Sequence, residues 1–217
     1  MPVRTTSDDI ILFDRKTVRR HRDRAVATFA NHDFLHREIA DQLADRLHDV
    51  KRDFATALDL GGGHGTTTFD PVPETMVTAD LSDRLLNRMP HGLHVSADEE
   101  FLPFADSAFD LIASTLSLHW VNDLPGALVQ IQRALKPDGL FLAAMLGGDT
   151  LIELRRAFLE AEAETTGGTS PHTSPVADVA DAGALLQRAG FALPVIDTDT
   201  ITVTYSDMFA LMRELRG

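Results

Sequence analysis

The chain has 217 residues, of which 44% are hydrophobic and 24% charged, and its formal net charge is −13. That length allows one well-buried core, and that charge argues against nonspecific nucleic-acid binding. There is no cysteine, which excludes disulfides, thiolate catalysis and cysteine-ligated clusters and suits a reducing compartment. The longest apolar run, Leu140 to Leu146, falls far short of the ~18 residues a membrane span needs. With no signal-peptide core either, a cytoplasmic protein that does not span a membrane is expected.

Seven basic and four acidic side chains crowd into residues 1–24. The run from Arg15 to Arg24 has the composition of a nucleic-acid arm, a transit peptide or a solvated helix. Acids interrupt it and no aromatic side chain interleaves its core, which favours a helix, either solvated or acting as a lid. Helices are expected at about 15–29 and 34–49, the second from Phe34, Leu35, Ile39, Leu43 and Leu47 at helical spacing. Strands are expected near 55–60, 75–80, 93–96, 109–114 and 139–146, with a sixth at about 193–204. Helices should fall near 82–89, 122–135, 149–165, 175–189 and 206–216. Asn122 is a candidate N-cap, Pro137-Asp138-Gly139 a turn into the fifth strand, and Gly190 a helix stop. Such alternation predicts an α/β fold with a mostly parallel sheet flanked by helices. Residues 66–75 are too short and too broken by Pro71 and Pro73 for more than one or two helical turns.

The segment Leu58-Asp59-Leu60-Gly61-Gly62-Gly63-His64-Gly65 reads as a buried strand running into a glycine turn, the place where open α/β sheets hold their ligands. Thr66 stands where a dinucleotide fingerprint needs its third glycine, and no Gly-Lys-Ser/Thr of a phosphate loop follows. Asp59 would repel a bound phosphate and suits a ligand carrying an ammonium and a sulfonium, which favours S-adenosylmethionine over NAD or ATP. Asp80, ending the second strand about twenty residues later, is the candidate for the ribose hydroxyls; its alternative role is to cap the helix near Ser82. Asp98, after the third strand, is the candidate for the adenine amino group.

The segments LDLGGGHG, TADLS, SADEEFLPF, FDLIASTLSLHWVNDLPGAL and LKPDGLF resemble, in order, the motifs of class I S-adenosylmethionine-dependent methyltransferases of the type 11 kind. SLHWVNDLPGAL, GGDTLIELR, SPHTSP and DTDTITVTY are closer still to the complex I assembly factor 5 proteins of mitochondria and their bacterial relatives. The malonyl-carrier-protein methyltransferases of biotin synthesis are more distantly similar. The resemblance runs from about Phe13 to the end and implies a Rossmann-like fold, with residues 1–50 as a helical lid and 51–217 as the cofactor-binding domain. It implies cofactor contacts from Gly61, Gly63, Gly65, Asp59, Asp80, Leu81, Asp98, Glu99 and Ser114, with Arg22 or Arg24 meeting the methionine carboxylate. Class I enzymes normally add a seventh, antiparallel strand; none is expected after the sixth here, so either the chain is truncated or the sheet is completed differently.

Methyl transfer from a sulfonium needs near-attack geometry and exclusion of water more than a catalytic triad. His119 and Asp149 are the candidate bases; a packed loop histidine and a plain helix cap are their alternatives. Trp120 and His172 are candidate substrate contacts, His172 in a stiff Ser-Pro loop that has a purely structural reading too. The histidine pairs 91/94 and 32/36 lack the third ligand of a zinc or iron site, so no metal is expected. Two enzymatic readings follow. One is methylation of a small molecule, a carrier-bound acyl group or a protein side chain; the other, implied by the assembly-factor resemblance, is hydroxylation of an arginine on a complex I subunit. A cofactor-binding assembly chaperone is a third, nonenzymatic reading.

Overall fold

The structure is a computed structural model that describes residues 11–89, 92–166, 168, 173–174 and 179–216. Five strands form one sheet: β1 (Thr56–Leu60), β2 (Thr75–Asp80), β3 (Leu93–Ser96), β4 (Phe109–Thr115) and β5 (Leu135–Ala144), in the order β3-β2-β1-β4-β5. Every pairing is parallel, so both faces must be covered and the strands read as nearly continuous apolar runs. The helices are α1 (Arg15–Ala25), α2 (Phe34–His48), α3 (Asp83–Leu86), α4 (Leu124–Ala134), α5 (Ile152–Thr166), α6 (Val179–Arg188) and α7 (Met208–Glu214).

Alternation along β1 divides the core between the two faces of the sheet. Leu58 and Leu60 join Val77, Ile112 and the Leu128 and Ile131 side chains of α4, while Ala57 joins Leu111, Phe54 and Leu47 of α2. Helix α2 therefore belongs to the cover of the sheet, its Ala40, Leu43 and Leu47 buried. Helix α1 buries only Arg22 and is the part of residues 1–50 that lies across the carboxyl ends of the strands. The N-terminal 50 residues are thus not one lid.

Local chemistry explains most element boundaries. Asp14 caps α1 by accepting from the Lys16 amide at 3.2 Å, and the Ser82 hydroxyl caps α3 by accepting from Leu85 at 3.2 Å. Helix α4 is capped by Asp123, which accepts from the Gly126 amide at 2.8 Å, and not by Asn122. The Asn122 amide instead accepts from Leu12 and Phe13 at 2.8 Å and donates to the Phe13 carbonyl at 2.9 Å, stitching the incoming chain to the loop before α4. Pro137-Asp138-Gly139 forms an excursion inside β5: Phe109 pairs with Leu135 but Leu111 with Leu140, and Asp138 has φ +61°. Residues 66–75 contain no helix ahead of β2.

The sixth strand expected at 193–204 does not form. Its Ile/Val/Thr alternation has strand propensity, but a strand needs a partner ladder. Residues 197 and 199 instead anchor the segment to α2, where Arg46 pairs with Asp197 at 2.5 Å and Asp199 at 2.9 Å. Leu193 and Val195 are left 92% and 91% exposed.

Candidate active site

The glycine turn sits at the carboxyl end of the central strand β1, between β2 and β4, the switch point where such sheets bind ligands. Gly61 takes φ +75° and Gly65 φ +69°, a region that glycine enters without steric penalty. Gly63 is needed for a different reason: a Cβ there would lie 2.8 Å from Asp80 Cγ. Its amide donates to Asp80 Oδ2 at 3.2 Å, so the turn is closed against the acid at the end of β2. Asp59 lies beneath the turn, 2% exposed, accepting from the Thr67 hydroxyl at 3.1 Å. Burial, opposed by that hydrogen bond and reinforced by the Asp80 charge, pushes its carboxyl up to about 7.

Asp80 and Glu99 are completely buried and share one cation. The Arg22 guanidinium lies 3.2 Å from Asp80 Oδ1, 2.7 Å from Glu99 Oε1 and 2.9 Å from the Ser117 hydroxyl, and Ser117 donates to Glu99 at 2.6 Å. Burial alone would lower the Arg22 pKa, but the two carboxylates raise it above its ordinary value. Asp80 also accepts from the Ser82 amide at 2.7 Å; burial still raises its pKa. At Glu99 burial is outweighed by the Arg22 and Arg15 charges and the Ser117 hydrogen bond, and its pKa falls. Arg15 reaches both oxygens of Asp98 at 3.0 Å, Glu99, and the Trp120 carbonyl at 2.6 Å.

Beside this acid cluster a cavity of about 770 Å³ opens over Gly61, with Arg24, His64, His119 and Trp120 in its walls. His64 stacks on Phe29 at 4.0 Å, and His36 meets both rings at 5.0 Å. Burial, assisted by the positive charge of Arg22, pushes His36, His64 and His119 down to about 4, 3 and 4, so all three imidazoles are neutral at pH 7. Nδ1 of His64 and of His119 is buried with no hydrogen-bond partner among the described residues. No group of three or more His, Cys, Asp or Glu among the described residues is arranged to hold a metal ion.

The structure thus gathers Arg22, Asp59, Gly61, Gly63, Asp80, Asp98, Glu99, His119 and Trp120, with Arg24 on the cavity wall and Leu81 half-buried after β2. Other expected residues are placed differently. The Ser114 hydroxyl donates to the Leu60 carbonyl at 2.9 Å, tying β4 to β1. Asp149 is exposed in the turn before α5, where its backbone carbonyl accepts from the Ile152 amide at 3.2 Å, and it is not among the cavity-lining residues. Gly65 is exposed, with only Met89 near a built Cβ, at 3.9 Å. Arg22 lines the cavity too, but its guanidinium is engaged by Asp80 and Glu99. His172 lies outside the described residues. Sequence reasoning missed Arg15, His36, His64 and Ser117; the histidine inside the glycine turn was the one legible signal among them.

A five-stranded parallel sheet with a glycine turn after β1 and an acid ending β2 defines a Rossmann-like class I methyltransferase fold. Residues 58–143 match the family model described as a methyltransferase domain. The chain is 46% identical over 215 residues to the protein of Rattus norvegicus named arginine-hydroxylase NDUFAF5, mitochondrial, covering 95% of this chain and 63% of that one. It is 36% identical to the malonyl-[acyl-carrier protein] O-methyltransferase of Laribacter hongkongensis, covering 94% of this chain and 73% of that one. Among solved structures, a chain of the Haloferax volcanii complex between the Trm112 methyltransferase activator and a methyltransferase superposes with a TM-score of 0.60 at 20% identity, covering 80% of this chain and 75% of that one. This chain belongs to the class I S-adenosylmethionine-dependent methyltransferase superfamily. It spans less than two thirds of the rat relative's length.

Proposed function

We propose that this protein binds S-adenosylmethionine at the carboxyl ends of β1 and β2 and transfers its methyl group to an acceptor held in the adjoining cavity. The observation that carries this reading is the turn closed on an acid: the Gly63 amide donates to Asp80, and even a methyl group at position 63 would collide with that carboxylate. The fit favours a nucleoside with vicinal hydroxyls over a pyrophosphate, since Asp59 and Asp80 stand where a phosphate would be repelled. When bound, the cofactor supplies a methyl group activated by a sulfonium.

The chain's own residues do the positioning. Asp80 accepts from the ribose, Asp98 marks the adenine side, and Arg24, which lines the cavity from α1, is the cation for the methionine carboxylate. Phe29, His64, His119 and Trp120 present ring faces and uncharged nitrogens to the acceptor and exclude water. Neutral His119 is available as the base where an acceptor must lose a proton.

A second reading, hydroxylation of an arginine on a complex I subunit, is favoured by the name of the 46%-identical rat relative. It would need an oxidant as co-substrate. Among the described residues no helix is long and apolar enough to cross a membrane. The absence of cysteine supports a reducing, cytoplasmic location, although the matched relative from rat is named as mitochondrial. Intact-mass comparison of complex I subunits from cells with and without this protein separates the chemistries. A difference of one methylene supports methylation, one oxygen supports hydroxylation, and none removes a complex I subunit as acceptor.

A further inference from the structure

The carboxylates assigned to the nucleoside already have cationic partners, and those cations come from one helix. Arg15 and Arg22 are seven residues apart, two turns of α1, so they project from one face. Arg22 spans Asp80 and Glu99, Arg15 spans Asp98 and Glu99, and Asp23, the residue after Arg22, accepts from the Ser82 hydroxyl at 2.5 Å. We propose that α1 and the cofactor are rivals for one set of carboxylate oxygens, so that this helix gates its own binding site and the arginines must let go before the ribose can be seated. The proposal rests on the cofactor reading above.

Lone pairs carry the argument. A carboxylate offers about four acceptor sites. At Asp80 one is taken by the Gly63 amide, one by the Ser82 amide and one by Arg22. Two ribose hydroxyls therefore cannot both be accommodated while Arg22 stays. At Asp98, Arg15 reaches both oxygens through Nε at 3.0 Å and Oδ1 again through Nη2 at 2.7 Å, and the Glu100 amide takes a further site at 3.0 Å, which leaves none for the adenine amino group.

The rest of α1 is built to move. Arg22 is its only buried residue, so no apolar face anchors the helix to the core and closure depends on charge. Opening leaves Asp80 to the ribose, while Glu99 keeps the hydrogen bond from the Ser117 hydroxyl. The only tryptophan in the chain sits on the latch: the Trp120 carbonyl accepts from Arg15, and the Phe13 ring meets the indole edge-on at 5.5 Å. Its emission therefore reports whether α1 is closed.

Stopped-flow mixing with S-adenosylhomocysteine, read by Trp120 emission, tests the gate. For the wild type the observed rate should level off as ligand rises, because opening limits it. For Arg22→Gln, and for Arg15→Gln as the milder variant, it should stay linear and become several-fold faster. A wild-type rate that is linear and unchanged by either substitution overturns the proposal. So does an Arg22→Gln protein that associates normally and merely releases the ligand faster, since Arg22 would then be an ordinary cofactor contact. Amide exchange across residues 16–25 gives a readout that needs no cofactor: protection should drop in the double variant, and unchanged protection refutes the gate while leaving the cofactor assignment standing. Failure of the wild type to bind S-adenosylhomocysteine in calorimetry instead refutes the cofactor reading, and the gate falls with it.

Discussion

Alanine at Gly63 and alanine at Gly65 are the same substitution two residues apart, yet they should fail for different reasons. At position 63 a Cβ would lie 2.8 Å from Asp80 Cγ and 2.9 Å from its Oδ2, closer than real Cβ contacts, so either the turn or the carboxylate must shift. Overpacking of this kind costs ~1–3 kcal/mol, and here the shift falls on the oxygens assigned to the ribose. Gly63→Ala should lose at least about tenfold in affinity for S-adenosylhomocysteine, or ~1.4 kcal/mol. Gly63→Asn, which is larger, should lose more. At position 65 the nearest atom to a Cβ is Met89 Cε at 3.9 Å, so space is not limiting, but φ is +69°. Alanine in that region costs ~1–2 kcal/mol, whereas asparagine visits it routinely. Gly65→Ala should therefore lower the urea midpoint, and Gly65→Asn should recover part of the loss. Calorimetry and urea melts on the four proteins measure both effects. If Gly63→Ala binds as tightly as wild type, or Gly65→Asn is no more stable than Gly65→Ala, the division into contact and backbone strain is wrong.

Asp80→Ala removes two charge-assisted hydrogen bonds to the ribose, each worth ~1.5–3 kcal/mol, so calorimetry should show affinity falling by about a hundredfold or more. It also strips an acceptor from Gly63, Ser82 and Arg22, so the melting temperature should fall too; unchanged affinity would refute the ribose assignment. Burial holds the Asp59 carboxyl at about 7, well above its ordinary value of 3.8, so its contribution to stability is complete below about 3.8 and is lost as pH rises through about 7. Asp59→Asn should therefore raise the urea midpoint relative to wild type at pH 8, with the gap closing toward pH 5, and a pH-independent gap would contradict it. Asn122→Ala removes the side-chain hydrogen bonds to Leu12, Phe13 and Glu100. At ~1 kcal/mol each, discounted for exposure, thermal melts should show a loss of about 1–2 kcal/mol, and amide exchange at Leu12 and Phe13 should quicken.

Strand identity was legible wherever an apolar run ended at a glycine or an acid. Leu58 to Leu60 and Val77 to Asp80 form buried strands at the expected places because both sheet faces are covered, and that burial favours apolar residues on both faces, with Asp59 and Thr78 the polar exceptions inside the runs. The segment at 193–204 carries equally good local signals and makes no strand, since propensity speaks for one chain segment and a ladder requires two. Asn122 and Asp123 are both cap-competent side by side, and only the approach of Phe13, more than a hundred positions away, diverts the first to another task. The glycine turn and its acids were readable from spacing. The partners of those acids were not, because nothing local ties Arg15 and Arg22 to Asp98, Glu99 and Asp80. The cluster of His36, His64 and Phe29 was hidden for the same reason: it joins α2 to the glycine turn through packing that no periodicity records.

The stretch from residue 191 to 205 has a consequence for how the molecule opens. It lacks ladder hydrogen bonds and leaves Leu193 and Val195 almost fully in solvent. Its ties to α2 are ion pairs on the surface, of the kind worth little in water. Its free energy of local opening therefore lies near the bottom of the range found within a folded domain, far below that of the parallel strands. Among the described residues, a protease should nick the chain there before it cuts the strands, at a rate insensitive to mutations that weaken the sheet, because cleavage samples a fluctuation of the segment and not the unfolding of the domain.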